Sequence, residues 1–373
     1  MKVAIAGKGR SGKAAYDFLR QQGHEVEFLD DANKTLTAEK ISEFEAVVLS
    51  PGIPRTHVAL RATKKPIYNE IDIAVPYLHD CKFVGITGTN GKSTTTALLG
   101  HIVSQFEPAT FVGGNLGRPL CEALEAAEHP KYAILELSSF QLETISKLKL
   151  DVAVLLNLTP DHLDRYPSVE DYYATKRKIF DLLVPGGEKI NLPQGERISK
   201  SLLGRHNAQN AYAAVLAAKA LGITDTVIQN GLDTFPGIPH RLEILGTKNG
   251  VTWINDSKAT NVESALAALA CFKSGVHLIL GGHGKGASYE PLVQAARNCV
   301  AKIYVIGEDA PVITKAFGDG VVQAGTLEKA VKLAHQAAKP GETVLLSPAC
   351  ASYDQFNNFE HRGDVFRELF HDL

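Results

Sequence analysis

Gly85-Ile86-Thr87-Gly88-Thr89-Asn90-Gly91-Lys92-Ser93-Thr94 is the stretch that decides how this chain is read. Ahead of it, Lys82-Phe83-Val84 is short and apolar enough for a buried strand. Behind it, residues 95–103 carry helical spacing. Strand, glycine-rich turn and helix form the setting of a phosphate-binding loop. Glycines let backbone N–H groups turn toward phosphate oxygens, and the helix adds its positive N-terminal end. Gly88, Thr89, Asn90, Gly91 and Thr94 then cradle the phosphates, Lys92 reaches the β- and γ-phosphates as a point charge, and the Ser93 hydroxyl ligates Mg²⁺. Ile86 stands where the pattern G-x-x-x-x-G-K-[ST] has glycine, with glycines at 85 and 88 instead. The stretch is read as an ATP site.

Upstream, residues 2–6 form a short apolar strand, followed by Gly7-Lys8-Gly9-Arg10-Ser11-Gly12, a helical stretch from Ala14 to Gln22, and a second strand that ends at Asp30. This G-x-G-x-x-G with an acid at the next strand's end sets a pyrophosphate on a helix N-terminus. By itself it suggests NAD, yet any nucleoside diphosphate, a UDP-sugar included, poses the same phosphate problem. Residues 46–53 give a third strand whose Ser50-Pro51-Gly52 turn lies at its carboxyl end, where open α/β sheets bind ligands. Downstream, strands at 132–137 and 152–157 alternate with helices. Residues 186–203 form a glycine-, proline- and charge-rich excursion before an alanine-rich helix over 206–221, and the run from Thr234 to Pro239 marks a break. The last third restarts with strands at 251–255, 276–280, 302–306 and 343–346, and with helices around 261–272, 288–297, 326–338 and 354–369. The expectation is an α/β protein of three domains: a Rossmann-like N-terminal lobe over 1–80, a P-loop central domain with a mostly parallel sheet over 81–236, and a Rossmann-like C-terminal domain over 237–373.

Composition narrows the function. A formal net charge of −2 and a pI near 6.7 give no electrostatic reason to expect nucleic acid. No apolar run approaches the ~20 residues that span a bilayer, and the N-terminus enters a strand pattern rather than a signal peptide. The five cysteines are scattered without C-x-x-C spacing, as expected of reduced thiols. A cytoplasmic protein is expected.

Polar residues gather where strands end. Glu136 closes a strand and is placed to serve Mg²⁺. Asn157 to Arg165 piles polar groups onto one loop, in which His162 is a candidate for a second cation or a substrate carboxylate. Asn207 and Asn210 lie one turn apart on a helix, suited to an adenine edge, a phosphate or simple capping. His240-Arg241 follows the break, where a cation could stabilise charge on a transferring phosphoryl group. Asn255 to Asn261, Gly281 to Gly286 and Ser347 to Phe356 are three further polar turns.

Taken in order, Thr87 to Thr94, Glu136 to Leu142, Asn157 to Arg165, His206-Asn207, His240-Arg241, Asn255 to Asn261 and Ser347 to Phe356 resemble the motifs of the Mur ligases over nearly the whole chain. Trp253 to Asn261 and Leu346 to Ser352 are most similar to the members that join D-glutamate to UDP-N-acetylmuramoyl-L-alanine in peptidoglycan synthesis. The resemblance implies an ATP- and Mg²⁺-dependent amide ligase, working as a monomer, that phosphorylates the alanyl carboxylate and passes the acyl group to the D-glutamate amine. It implies catalytic roles for Lys92, His162, Lys176 and Lys285. Ser93 and Glu136 serve one metal, and His162 and Lys176 a second, the lysine matching a position carbamylated in the family. Asn207, Asn210, Arg241 and Asp256 fall to ATP, and Thr260, Lys285, Ser352 and Phe359 to D-glutamate. Arg10, Ser11, Ser50 and Asn115 fall to the UDP-linked substrate. His283 stands where an acid is expected, and Asp31-Ala32 where Thr-Arg is expected. The chain is also short for the family, with the shortfall at 181–203, where strands are expected to be missing.

Three alternatives remain at this level. A folylpolyglutamate-type ligase shares the phosphate loop and differs in its acceptor. A nicotinamide-dependent oxidoreductase uses only the N-terminal glycine motif. A nucleotide-binding scaffold binds ATP without forming product.

Overall fold

The computed structural model describes residues 1–373 except 127, 163, 164 and 319. The alternating patterns become parallel strands with helical crossovers. β1 (Lys2–Ala6), β2 (Glu25–Leu29), β3 (Ala46–Leu49) and β4 (Ile67–Tyr68) form a parallel sheet of order β2-β1-β3-β4. Gly12 seats the helix Arg10–Gln21 against this sheet. A Cβ there would lie 2.2 Å from the Gly7 carbonyl oxygen and 2.7 Å from the Ser50 hydroxyl, so no other residue permits the approach.

β5 (Lys82–Thr87), β6 (Thr110–Gly114), β7 (Tyr132–Glu136), β8 (Leu150–Leu155) and β9 (Leu183–Asn191) form a second parallel sheet, ordered β6-β7-β5-β8-β9. β5 sits between β7 and β8, so the turns leaving all three strands emerge side by side at the carboxyl edge. β9 corrects the reading of 186–203 as an excursion: the first residues of that stretch, with Gly186 and Gly187, form a strand. Its register is irregular near Leu150, and an edge position tolerates both glycines.

Helices of the N-terminal lobe join the core of the second sheet. Phe18 and Ile71 pack with Phe83, Leu135, Leu150 and Ala153, and Asn69, Glu70 and Asp72 are buried on the segment that carries Ile71. The Asp72 carboxylate accepts from Ser146 N (3.0 Å), the Ser146 hydroxyl (3.0 Å) and Lys147 N (2.7 Å). Asn69 donates to the Thr144 hydroxyl at 3.3 Å, and Glu70 accepts from the Cys121 amide. Residues 1–198 and 206–234 accordingly form one compact unit.

Residues 199–205 and 235–373 form a second unit. Its strands are β10 (Glu243–Lys248), β11 (Val251–Asn255), β12 (Val276–Gly281), β13 (Val300–Ile306), β14 (Val321–Gly325) and β15 (Thr343–Leu346), in the order β10-β11-β15-β12-β13-β14, with β10 antiparallel to β11 and the other pairs parallel. The last helix runs over Phe359–Asp372 rather than from 354. Gln355 N and Phe356 N donate to the Ser352 carbonyl in a turn, and the Asn358 side chain caps the helix through His361 N.

Candidate active site

β5 extends through Thr87, and Ile86 within it is fully buried, paired with Glu136 on one side and Val154 on the other. That register explains why glycine is not required at 86: the loop proper starts at Gly88. Gly91 has φ +83°, and a Cβ there would lie 2.1 Å from the Asn210 side-chain oxygen. The helix Lys92–Phe106 that follows has no side-chain cap at its N-terminus, the condition under which its first amides can serve an anion. Asn157 clamps the loop, accepting from Asn90 N (2.9 Å) and donating to Asn90 O (3.0 Å). Thr89 is tied to Thr159 N and O through its hydroxyl, each at 3.0 Å. Asn210 donates to Asn207 at 3.2 Å, so both asparagines lie against the loop, Asn210 directly.

Two ammonium groups converge on one carbonyl. Lys92 Nζ lies 3.0 Å from Gly88 O and 2.9 Å from Thr89 O, and Lys176 Nζ lies 2.8 Å from Gly88 O. Lys176 is 1% exposed. Burial first, and the Lys92 charge second, press its pKa down to about 7, against the opposing pull of Asp161 and Glu136. Glu136 is itself buried at the end of β7. One carboxylate oxygen accepts from Asn115 at 2.6 Å, and the other has no hydrogen-bond partner among the described residues. A buried carboxylate oxygen with no donor, near two cations and a phosphate loop, fits a hard divalent cation such as Mg²⁺. Among the described residues no group of three or more His, Cys, Asp or Glu could hold a metal; one carboxylate with the Ser93 hydroxyl and phosphate oxygens does not need such a group.

His162 follows on the same edge, in the left-handed region (φ +53°), with its Nε2 3.6 Å from Asp161 and its ring 4.9 Å from that of Phe140. Leu163 and Asp164 of this run lie outside the described residues. In the N-terminal sheet, the Arg10 guanidinium donates to the Gly117 carbonyl, and the Ser50 hydroxyl donates to Gly7 O at 3.0 Å. Ser11 lies in the first turn of the helix after Gly9.

The second unit gathers its own set at the carboxyl ends of β11, β12 and β15. Asp256 accepts from the Ser347 hydroxyl (2.8 Å) and Leu242 N (3.1 Å), and burial raises its pKa to about 7. Arg241 Nε is buried without a hydrogen-bond partner among the described residues. His283 and Ala351 exchange backbone hydrogen bonds (2.9 and 3.0 Å), which sets Lys285 and Ser352 on adjoining turns. The Ser257 hydroxyl reaches Phe359 O at 2.8 Å. Arg362, fully buried, donates to Ser257, Cys350 and Ala351 and so fixes two of the three turns.

The structure therefore brings Lys92, Ser93, Glu136, His162, Lys176, Asn207 and Asn210 to one edge of the first unit, and Arg241, Asp256, Thr260, Lys285, Ser352 and Phe359 to one edge of the second. Asn115, expected at the UDP-linked substrate, bonds the metal-candidate Glu136. Asn157, Tyr172 and Arg362 were not singled out beforehand. Asn157 carried a signal as the first residue of a polar turn; Tyr172, whose hydroxyl reaches Thr89 at 3.3 Å, and Arg362 carried none.

Residues 86–192 match the Mur ligase middle domain, and residues 240–350 the Mur ligase glutamate ligase domain. The UDP-N-acetylmuramoylalanine–D-glutamate ligase of Myxococcus xanthus is 41% identical, the match covering 99% of this chain and 97% of the relative, and that of Anaeromyxobacter dehalogenans is 39% identical with the same coverage. Among solved structures, the UDP-N-acetylmuramate–alanine ligase MurC of Thermotoga maritima aligns over 100% of this chain and 99% of its own, with a TM-score of 0.62 at 16% identity. The MurF ligase of the same organism, solved in complex with ADP, aligns over 99% and 95%, with a TM-score of 0.61 at 16% identity. Those two likenesses speak for the fold.

Proposed function

The chain belongs to the Mur ligases, and from that premise we propose that it is the ATP-dependent ligase that adds D-glutamate to UDP-N-acetylmuramoyl-L-alanine. The observation that carries the reading is the phosphate loop on which Lys92 and Lys176 converge beside the unpartnered oxygen of Glu136.

The alanyl carboxylate attacks the γ-phosphorus of ATP; an O–P bond forms to give an acyl phosphate, and the bond to ADP breaks. The D-glutamate amine then attacks the acyl carbon, a C–N bond forms, the amine proton is lost, and phosphate leaves. Lys92 lies against the γ-phosphate and offsets its charge, and the uncapped helix N-terminus adds to that field. Ser93 and Glu136 would hold Mg²⁺, which would supply positive charge against the phosphate oxygens. His162 and Lys176 are assigned to a second metal. As the neutral amine, Lys176 can add CO₂ to become a carbamate, which turns a cation into an anionic oxygen ligand. Asn207, Asn210, Arg241 and Asp256 are assigned to ATP, Arg10, Ser11, Ser50 and Asn115 to the UDP-linked substrate, and Thr260, Lys285, Ser352 and Phe359 to D-glutamate, where Lys285 pairs a carboxylate. The corresponding domains are 1–80 for the nucleotide-linked substrate, 81–236 for ATP and 237–373 for the amino acid, and the working form is a monomer.

The test is phosphate release. It is expected only when UDP-N-acetylmuramoyl-L-alanine and D-glutamate are both present. Equal release with another amino acid would overturn the acceptor, and release without either substrate would overturn the ligase.

A further inference from the structure

Arg165 uses both terminal nitrogens and one face of its guanidinium, and the site described above assigns it nothing. One terminal nitrogen donates to the Pro51 carbonyl at 3.1 Å, and the other to Glu143 at 2.9 Å. Its face covers the Phe140 ring, with Cζ 3.8 Å from the centroid. The side chain is 14% exposed. The second Glu143 oxygen accepts from the Tyr166 hydroxyl at 2.6 Å, so the carboxylate is fully engaged. Arg165 therefore touches two turns at once. On one side is Pro51, directly after Ser50 at the carboxyl end of β3. On the other is the turn of His162, whose carbonyl accepts from both Arg165 N (3.0 Å) and Tyr166 N (3.1 Å) and whose ring rests on the same Phe140 that the guanidinium covers.

We propose that Arg165 is a positioning residue that fixes the β3 turn of the N-terminal sheet to the His162 turn of the central sheet, and so aligns the nucleotide-linked acid held by the first with the phosphoryl-transfer groups beside the second. This rests on the ligase reading. The β3 turn lies where an open sheet holds its ligand, and no other side chain joins it to the His162 turn among the hydrogen bonds of the described residues. A lysine cannot replace it, since a single ammonium does not reproduce two divergent planar donors with a stacking face.

The test compares R165A, R165K and E143Q with the unaltered protein by steady-state kinetics for each substrate, and by calorimetric binding of UDP-N-acetylmuramoyl-L-alanine and of ADP. R165A is expected to lower kcat/KM for the UDP-linked acid about 10- to 100-fold, the loss that follows from removing charge-assisted hydrogen bonds, while ADP affinity and the KM for D-glutamate stay within about twofold. R165K recovers only part, E143Q shows a smaller loss of the same selectivity, and guanidinium ion added to R165A raises its rate. The proposal is overturned if R165A leaves kcat/KM for the UDP-linked acid within twofold. It is equally overturned if ADP affinity and melting temperature fall in step with it, or if R165K restores full activity. Should the unaltered protein turn over without D-glutamate, the ligase reading fails on its own. The two binding measurements then still decide Arg165: selective weakening of the UDP-linked ligand supports it, and equal or absent weakening overturns it.

Discussion

Lys176 is held where its charge is least welcome, beneath the Gly88 carbonyl and beside Lys92. Its pKa of about 7 in the folded chain, against 10.5 as the ordinary value, has a definite sign for stability. Between those values the unfolded chain holds the proton and the folded chain does not, so stability rises with pH across the window and is lowest below about 7. We expect the unfolding free energy to climb by no more than about 1.4 kcal/mol per pH unit from this group. K176M should remove that part of the slope in urea titrations from pH 7 to 9, run in buffer purged of CO₂ so that the amine stays unmodified. An unchanged slope would place the lysine in a wetter setting. Nothing in Tyr173-Ala174-Thr175-Lys176-Arg177 distinguishes this lysine from its neighbours, because burial is a property of what packs over it; the resemblance alone singled it out. Lys92 and Ser93, in contrast, were legible from their own spacing.

At the scale of elements, the glycine loop and the segment 69–74 carry the arrangement. Gly91 occupies the left-handed region and lies against Asn210, so G91A combines backbone strain with a steric clash. It should cost about 1–3 kcal/mol and abolish measurable ADP binding by calorimetry; retained binding would show that the Asn210 contact can yield. Asp72 receives hydrogen bonds from Ser146 and Lys147 in the neighbouring sheet's connection. D72N turns an acceptor into a partial donor facing those N–H groups, and should lower stability by about 2–3 kcal/mol, read as a shift of the urea midpoint with ADP affinity retained once folded. Strands β7, β11, β12 and β15 were legible because each is an apolar run bounded by turn residues. β9, with its Pro-Gly-Gly stretch, and β14, a short and mostly unburied edge strand, were not, because pairing with a neighbour rather than local propensity makes them strands. The helix at 359 was anticipated five residues early, since its start is set by the Asn358 cap and by the Ser352 turn before it.

At the scale of the molecule, the chain forms two units, and its single tryptophan reports on one of them. Trp253 is fully buried in β11, with Phe366 and Phe370 rings about it. Its fluorescence should follow unfolding of the second unit alone. Leu203 comes from the short segment 199–205 and packs on that unit's core. L203A should move the tryptophan transition to lower urea by an amount equal to about 2 kcal/mol, the low end for Leu→Ala because the side chain is only partly buried. A transition that does not move would place this segment outside the second unit. By itself the sequence determined the α/β class, the phosphate loop, the repeated polar turns at strand ends and, through long motifs, the family, because each is written in local spacing and residue type. Only the tertiary structure decided that helices of the N-terminal lobe join the core of the second sheet, that Glu136 keeps an oxygen without a donor among the described residues, that Lys176 loses its charge near neutral pH, and that Arg165 joins two turns. Those depend on groups 20 to more than 100 positions apart in the chain meeting in a space from which water has been removed, and no local pattern records which partners they find.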